Sequence, residues 1–155
     1  MRLTNKGKYG INALLVLASS QEEGPLSLKA IAGKAGIPEH YLEQIMGRLR
    51  QSGLVASTRG VQGGYRLARE SEKIFIGEIV EAAEDSVQPV KCASHQCERS
   101  DSCLNHDLWS RVTESMLKTL NGMSLAALCR DAFDHPCRGE DCSYPAWENI
   151  ESGGV

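Results

Sequence analysis

A succession of turn and helix signals in the first half of the chain constrains the fold most strongly. Ser27 is a good N-cap for a helix over Leu28–Lys34, because its hydroxyl accepts a hydrogen bond from a backbone N–H of the first turn. Ala35–Gly36 ends that helix, since glycine tolerates the left-handed conformation of a tight turn. Pro38 suits the first position of a second helix, which ends at Gly53. Two short helices joined by a turn with glycine predict a helix-turn-helix.

The second helix has one apolar and one polar face. Apolar residues at helical spacing predict a buried stripe formed by Leu42, Ile45, Met46 and Leu49. On the other face, Arg and Gln can pair with guanine and adenine edges in the major groove, and Glu can accept from cytosine. The candidate DNA-binding residues of this face are His40, Tyr41, Glu43, Gln44, Arg48 and Arg50. Because phosphate repels a carboxylate, we expect Glu43 to discriminate against wrong sites; the alternative is an ordinary solvated face.

A predicted β-hairpin follows this helix directly. The strands Leu54–Thr58 and Tyr65–Leu67 enclose a turn rich in glycine. A hairpin in this position is typical of the wing of a winged helix, although a plain surface hairpin is the alternative. Glycines allow close approach to a DNA backbone, and an arginine can enter a minor groove or hold a phosphate. The candidate contacts are Arg59, Gly60, Gly63 and Gly64.

The formal charge is divided unevenly along the 155 residues. Residues 1–72 carry ten Lys/Arg and six Asp/Glu, a charge of +4, whereas residues 73–155 carry seven and fourteen, a charge of −7. A basic half is the natural contact for a polyanion, which favours DNA as the partner of the first half. No run of 18 apolar residues occurs, so we expect neither a transmembrane helix nor a membrane partner.

The N-terminus has some features of a short signal peptide, because basic residues precede the apolar stretch Ile11–Ala18. That stretch is only about eight residues long, and Asn12 interrupts it. The following helix-turn-helix needs a helix to pack on. We therefore expect the stretch to be a buried first helix.

The cysteines suggest a local site, since none of the six precedes Cys92. Three of them and a histidine follow the pattern Cys-x4-Cys-x5-Cys-x2-His, formed by Cys92, Cys97, Cys103 and His106. Three thiolates and one imidazole suit a structural zinc ion or an iron–sulfur cluster, and the spacing alone leaves both open. Free thiols or a disulfide are the alternative. The other three, Cys129, Cys137 and Cys142, predict a mobile tail with exposed thiols, or a second metal site or redox pair.

Three further helices are predicted in the second half: Ile74–Asp85, His106 to about Asn121, and Leu125–Ala132 with Ser124 as its cap. The second of these carries a rich apolar stripe, and the chain offers no other helix of similar length to cover it. Such a helix usually pairs with a second copy of itself. A homodimer would place two recognition helices on a two-fold DNA site.

These motifs resemble the Rrf2 family of bacterial winged-helix regulators, and within it the regulators of iron–sulfur cluster assembly. The resemblance covers residues 1 to about 130. It is carried by Arg2-Leu3-Thr4, Tyr41-Leu42-Glu43-Gln44, Gly53-Leu54-Val55, Arg59-Gly60, Gly63-Gly64-Tyr65 and Cys103-Leu104-Asn105-His106.

The resemblance implies a cytoplasmic homodimer that binds a palindromic operator in double-stranded DNA and is not an enzyme. It also implies a 2Fe–2S cluster on Cys92, Cys97, Cys103 and His106, whose occupancy alters the DNA sites that are bound. Repression of cluster-assembly genes would follow. A structural zinc site, or sensing of nitric oxide or cysteine metabolism as in other members, is the alternative. We add Arg2 and Ser27 to the expected DNA contacts.

The predicted fold is mainly α. Residues 1–72 form a winged helix-turn-helix DNA-binding domain. Residues 73–132 form a linker helix, a cysteine-rich cluster loop and a long dimerisation helix. Residues 133–155 form a flexible tail that contains cysteine.

Overall fold

A computed structural model describes residues 5–21, 24–60, 63–84 and 105–134, of which residues 132–134 are described by backbone only. The elements in chain order are α1 (Asn5–Ser19), α2 (Leu28–Ala35), α3 (Glu39–Gln51), β1 (Val55–Thr58), β2 (Gly64–Leu67), a 3-10 turn (Ser71–Lys73), α4 (Ile76–Ala83), α5 (His106–Asn121) and α6 (Leu125–Asp134). This arrangement confirms the predicted fold, a mainly helical winged helix-turn-helix.

A single hydrophobic cluster holds α1, α2, α3, α4 and α6 together. Its fully buried large side chains include Leu14 of α1, Ile31 of α2, Leu42 of α3, Ile79 of α4 and Leu125 of α6. The predicted stripe of α3 is buried as expected. The apolar stretch at the N-terminus therefore forms the central helix of this core, and the core joins residues on both sides of position 72.

The helix-turn-helix has the capping interactions that the sequence predicts. Ser27 Oγ accepts a hydrogen bond from the backbone N–H of Ala30 at 3.1 Å, which starts α2. Gly36 ends α2 in the left-handed conformation, at φ 65° and ψ 36°. Pro38 is the N-cap of α3, whereas the sequence predicts it as the first residue of this helix. The helix therefore begins one residue later, at Glu39. The backbone of Pro38 is extended, with ψ at 132°.

The wing is a two-stranded antiparallel hairpin in which Val55 pairs with Leu67 and Thr58 with Gly64. Leu26, just before α2, adds one more bridge on the outer side of β2, through two backbone hydrogen bonds to Tyr65 of 3.0 and 2.7 Å. The hairpin is therefore bonded to the start of the helix-turn-helix as well as to the end of α3.

The helix predicted over Ile74–Asp85 is shorter in the structure, because its first residues pair with another segment. Phe75 forms an antiparallel bridge with Ser124, and the backbone N–H of Leu125 donates to the carbonyl of Ile74 at 2.7 Å. This pairing keeps Phe75 extended and delays the start of α4 to Ile76. It also joins α4 to the start of α6.

Candidate nucleic-acid interface and cysteine segment

The polar face of α3 is presented to solvent, as a recognition helix requires. His40, Tyr41, Glu43, Gln44 and Arg50 are all exposed. The opposite face of α3 is buried in the core, so the polar face cannot turn inward without exposing four apolar residues. This arrangement leaves guanidinium, amide, imidazole, phenol and carboxylate groups free to meet the edges of bases.

Arg48 differs from the other predicted DNA contacts of α3. It is half-buried, and its Nη1 donates a hydrogen bond to the backbone carbonyl of Ala83 at 3.2 Å. The structure thus places it between α3 and the end of α4. The sequence offers no local signal for this contact, since the two residues are 35 positions apart.

An aromatic group on α1 and α3 stands beside the polar face. The rings of His40 and Tyr41 lie 4.3 Å apart between centroids, and the ring of Tyr9 lies 6.4 Å from that of Tyr41. Both ring pairs are tilted, which is a favourable arrangement for aromatic contacts. Tyr41 is 48% exposed, so its ring is supported on one side and open on the other. Tyr9 supports the ring of Tyr41 and is not among the DNA contacts predicted from the sequence.

In the wing, Arg59 is exposed next to Gly60, whose φ of 119° belongs to the region that glycine favours. Gly64 has a structural requirement of its own. A Cβ atom placed on Gly64 would overlap the backbone carbonyl of Leu26. Glycine at position 64 therefore allows β2 to pair with the segment before α2. At the neighbouring Gly63, a Cβ atom would overlap the backbone carbonyl of Thr58.

Two other predicted contacts have different outcomes. Ser27 is exposed, but its hydroxyl oxygen caps α2. A capping hydroxyl still has a proton to donate, so capping is compatible with a contact to phosphate. Arg2 lies outside the described residues.

Of the four predicted cluster ligands, the described residues include only His106. It is the first residue of α5 and is half-buried. Cys92, Cys97 and Cys103 lie outside the described residues, between the end of α4 and the start of α5. Within the described ranges alone, no group of three or more His, Cys, Asp or Glu side chains could hold a metal ion. The donor set of three thiolates and an imidazole suits an iron–sulfur cluster or zinc.

In the second cysteine group, Cys129 lies on α6 and is half-buried, and Cys137 and Cys142 lie outside the described residues. Burial raises the pKa of the Cys129 thiol. The fraction of reactive thiolate is therefore smaller than for an ordinary cysteine, which makes Cys129 a weaker nucleophile.

The apolar residues of the long helix α5 are mostly half-buried, and one is exposed. Thr113 is its one buried residue, and only Leu120 among its apolar residues packs against the described core. Trp109, Val112, Met116 and Leu117 are half-buried, and Leu108 is 56% exposed. None of the described helices is both long and apolar enough to cross a membrane.

Comparison with known proteins agrees with this geometry. The model of the family described as "Rrf2: Iron-dependent Transcriptional regulator" matches residues 3–131. The transcriptional regulator IscR of Xenorhabdus nematophila is 41% identical over 132 residues, which cover 84% of this chain and 80% of the relative.

Two solved structures have the same fold. IscR of T. potens is 39% identical, with a TM-score of 0.70, over 85% of this chain and 88% of that protein. CymR, the global cysteine regulator of B. subtilis, is 35% identical, with a TM-score of 0.69, over 84% of this chain and 98% of that protein. These relatives are regulators rather than enzymes. On this evidence, the chain belongs to the Rrf2 family of transcriptional regulators, whose members bind DNA.

Proposed function

We propose that this regulator senses iron–sulfur cluster status through a bound 2Fe–2S cluster and represses genes of cluster biogenesis. The observation that carries the proposal is the set of Cys92, Cys97, Cys103 and His106 in a chain that is 41% identical to IscR. When bound, such a cluster supplies a redox-active group whose presence depends on iron and sulfide supply. A histidine among the ligands adds a protonatable group, which favours a cluster that changes state or is lost.

DNA binding is assigned to residues 1–72, through two groups of exposed side chains. The recognition helix would read base edges in the major groove, while the wing would approach the adjacent backbone or minor groove. The proposed contacts are Arg2, Ser27, His40, Tyr41, Glu43, Gln44, Arg50, Arg59, Gly60, Gly63 and Gly64. Arg48 is not in this set, because its guanidinium is bonded to the end of α4.

Residues 73–132 are assigned to the cluster and to a homodimer through α5. The exposed side chain of Leu108 on α5 supports the dimer, because a second copy of the same helix would remove it from water. A two-fold dimer binds a palindromic operator, with its half-sites about one turn of DNA apart. Residues 133–155 are assigned to a flexible tail, and the location of the protein to the cytoplasm.

The cluster is tested by anaerobic purification, visible spectroscopy and assays of iron, sulfide and zinc. We expect a coloured protein that contains iron and sulfide, and we expect Cys92→Ala to remove the colour while cooperative thermal unfolding remains. Cys129→Ala is the matched control, because Cys129 lies on α6 outside the proposed ligand set, and it should keep the colour.

A colourless wild-type protein loaded with zinc would refute the cluster proposal. In that case a winged-helix regulator with a structural zinc site replaces it, and Cys92→Ala would abolish cooperative unfolding. A colourless protein with neither metal would instead favour the function of CymR, the cysteine regulator with which this chain shares 35% identity.

A further inference from the structure

The C-terminal end of α4 is held by the beginning of α1. The buried carboxylate of Glu84 accepts a hydrogen bond from the backbone N–H of Gly7 at 2.9 Å. One turn further along α1, Gly10 lies so close to α4 that an added Cβ would be 3.1 Å from the Cβ of Ala83. Glycine at position 10 thus allows the two helices to meet closely at this end of α4.

The recognition helix is bonded to the same end of α4. Arg48 Nη1 donates to the carbonyl of Ala83 at 3.2 Å, in a partly buried position. Ala83 is the last residue of α4, and the last four carbonyls of a helix have no partner within the helix. A guanidinium group satisfies this carbonyl and is attracted by the negative end of the helix dipole.

Arg48 is therefore held differently from its neighbour Arg50. Both lie in the last turn of α3, but Arg50 is exposed whereas Arg48 is half-buried against α4. A guanidinium that is bonded to a protein carbonyl has fewer donors left for DNA, and moving it to a phosphate would leave that carbonyl without this partner.

We propose that Arg48 is a positioning residue, which fixes the recognition helix to the C-terminal end of α4 instead of contacting DNA. The chain leaves α4 at Glu84 and reaches Cys92 eight positions later. A shift of the end of α4 is thus transmitted to α3 through Arg48, and to α1 through Glu84. This inference deepens the proposed function, and it rests on that function where it links the cysteine segment to DNA binding.

The first test separates positioning from DNA contact, and it uses cluster-free protein. The affinity for a short labelled duplex, selected with the wild-type protein, is measured between about 50 and 200 mM salt for Arg48→Met, Arg48→Lys and the control Arg50→Met. We expect Arg48→Met to weaken binding about tenfold with the wild-type salt slope. Arg50→Met should lower the slope by about one, because it removes a positive charge that is exposed on the DNA-binding face. Arg48→Lys, which keeps a charged donor, should bind more tightly than Arg48→Met.

A slope that falls by about one in Arg48→Met would overturn the proposal, as would unchanged affinity in that variant. The thermal unfolding curve of each variant shows that folded protein is compared. Because this first test needs no cluster, it decides the role of Arg48 even if the wild-type protein binds no iron and the proposed function fails.

The second test addresses the link to the cysteine segment. The ratio of the DNA affinities of cluster-loaded and cluster-free protein is measured for each variant. We expect Arg50→Met to change both affinities equally and to keep the wild-type ratio, whereas Arg48→Met should move the ratio towards one. A protein in which Arg48 merely stabilised the fold would keep the ratio, so an unchanged ratio in Arg48→Met would refute the transmission of the signal through this residue.

Discussion

Replacement of Leu108 by alanine should weaken the proposed homodimer selectively. Leu108 lies near the start of α5 and is 56% exposed in the single chain. Moving a leucine from full exposure to full burial contributes about 1.5–3 kcal/mol. With about half of this surface still to be covered, each copy would contribute about 1–1.5 kcal/mol to the dimer.

A symmetric interface contains the residue twice, so Leu108→Ala should cost about 2–3 kcal/mol of association free energy. The dissociation constant of the dimer should then rise about 30- to 150-fold. Sedimentation over a series of protein concentrations measures this constant directly. Because Leu108 is mostly outside the described core of the single chain, the circular dichroism spectrum should remain that of the wild type.

Glu114→Ala is the matched control, since Glu114 is exposed on the same helix and carries no apolar surface of comparable size. It should leave the dissociation constant within about twofold, as substitutions at surface sites usually do. An unchanged constant in Leu108→Ala would refute the assignment of this part of α5 to the interface. An equal change in both variants would mean that the effect comes from helix stability instead.

Four further predictions concern Arg59 in the wing, Glu43 on α3, Gly64 in β2 and Cys129 on α6. Arg59→Ala should weaken binding to all DNA sites and lower the salt slope by about one. Glu43→Ala should relax the sequence preference, which is measured by binding to a panel of duplexes. An equal loss of affinity at all sites in Glu43→Ala would contradict discrimination by this carboxylate. Gly64→Ala should lower the free energy of unfolding in urea by about 1–3 kcal/mol, because the added Cβ meets a backbone carbonyl. Gly33→Ala is the control and should not destabilise the protein, because the space around Gly33 is open. Because burial raises the pKa of the Cys129 thiol, its alkylation at pH 8 should be slower in the folded than in the unfolded protein. Mass spectrometry measures the rate of alkylation, and equal rates in the two states would contradict a raised pKa.

Local features of the sequence were sufficient to predict the helix-turn-helix and its wing. Ser27, Gly36 and the apolar stripe of α3 act over a few residues, and the capping and burial that they predict are present in the structure. The apolar stripe of α5 follows from the same periodicity. The start of α4 was predicted two residues too early, because the bridge between Phe75 and Ser124 joins positions far apart in the chain.

The amino-acid sequence is sufficient to predict the type of domain and most of the exposed face of α3, because helical period and turn chemistry are local properties. The contact of Arg48 with the end of α4 and that of Glu84 with the start of α1 could not be predicted in this way, since both join residues 35 or more positions apart. The requirement for glycine at position 64 also comes from a distant segment, because the backbone of Leu26 packs against it. Residue types limit the chemistry that each side chain can perform, but the neighbour with which it performs that chemistry depends on how distant segments pack.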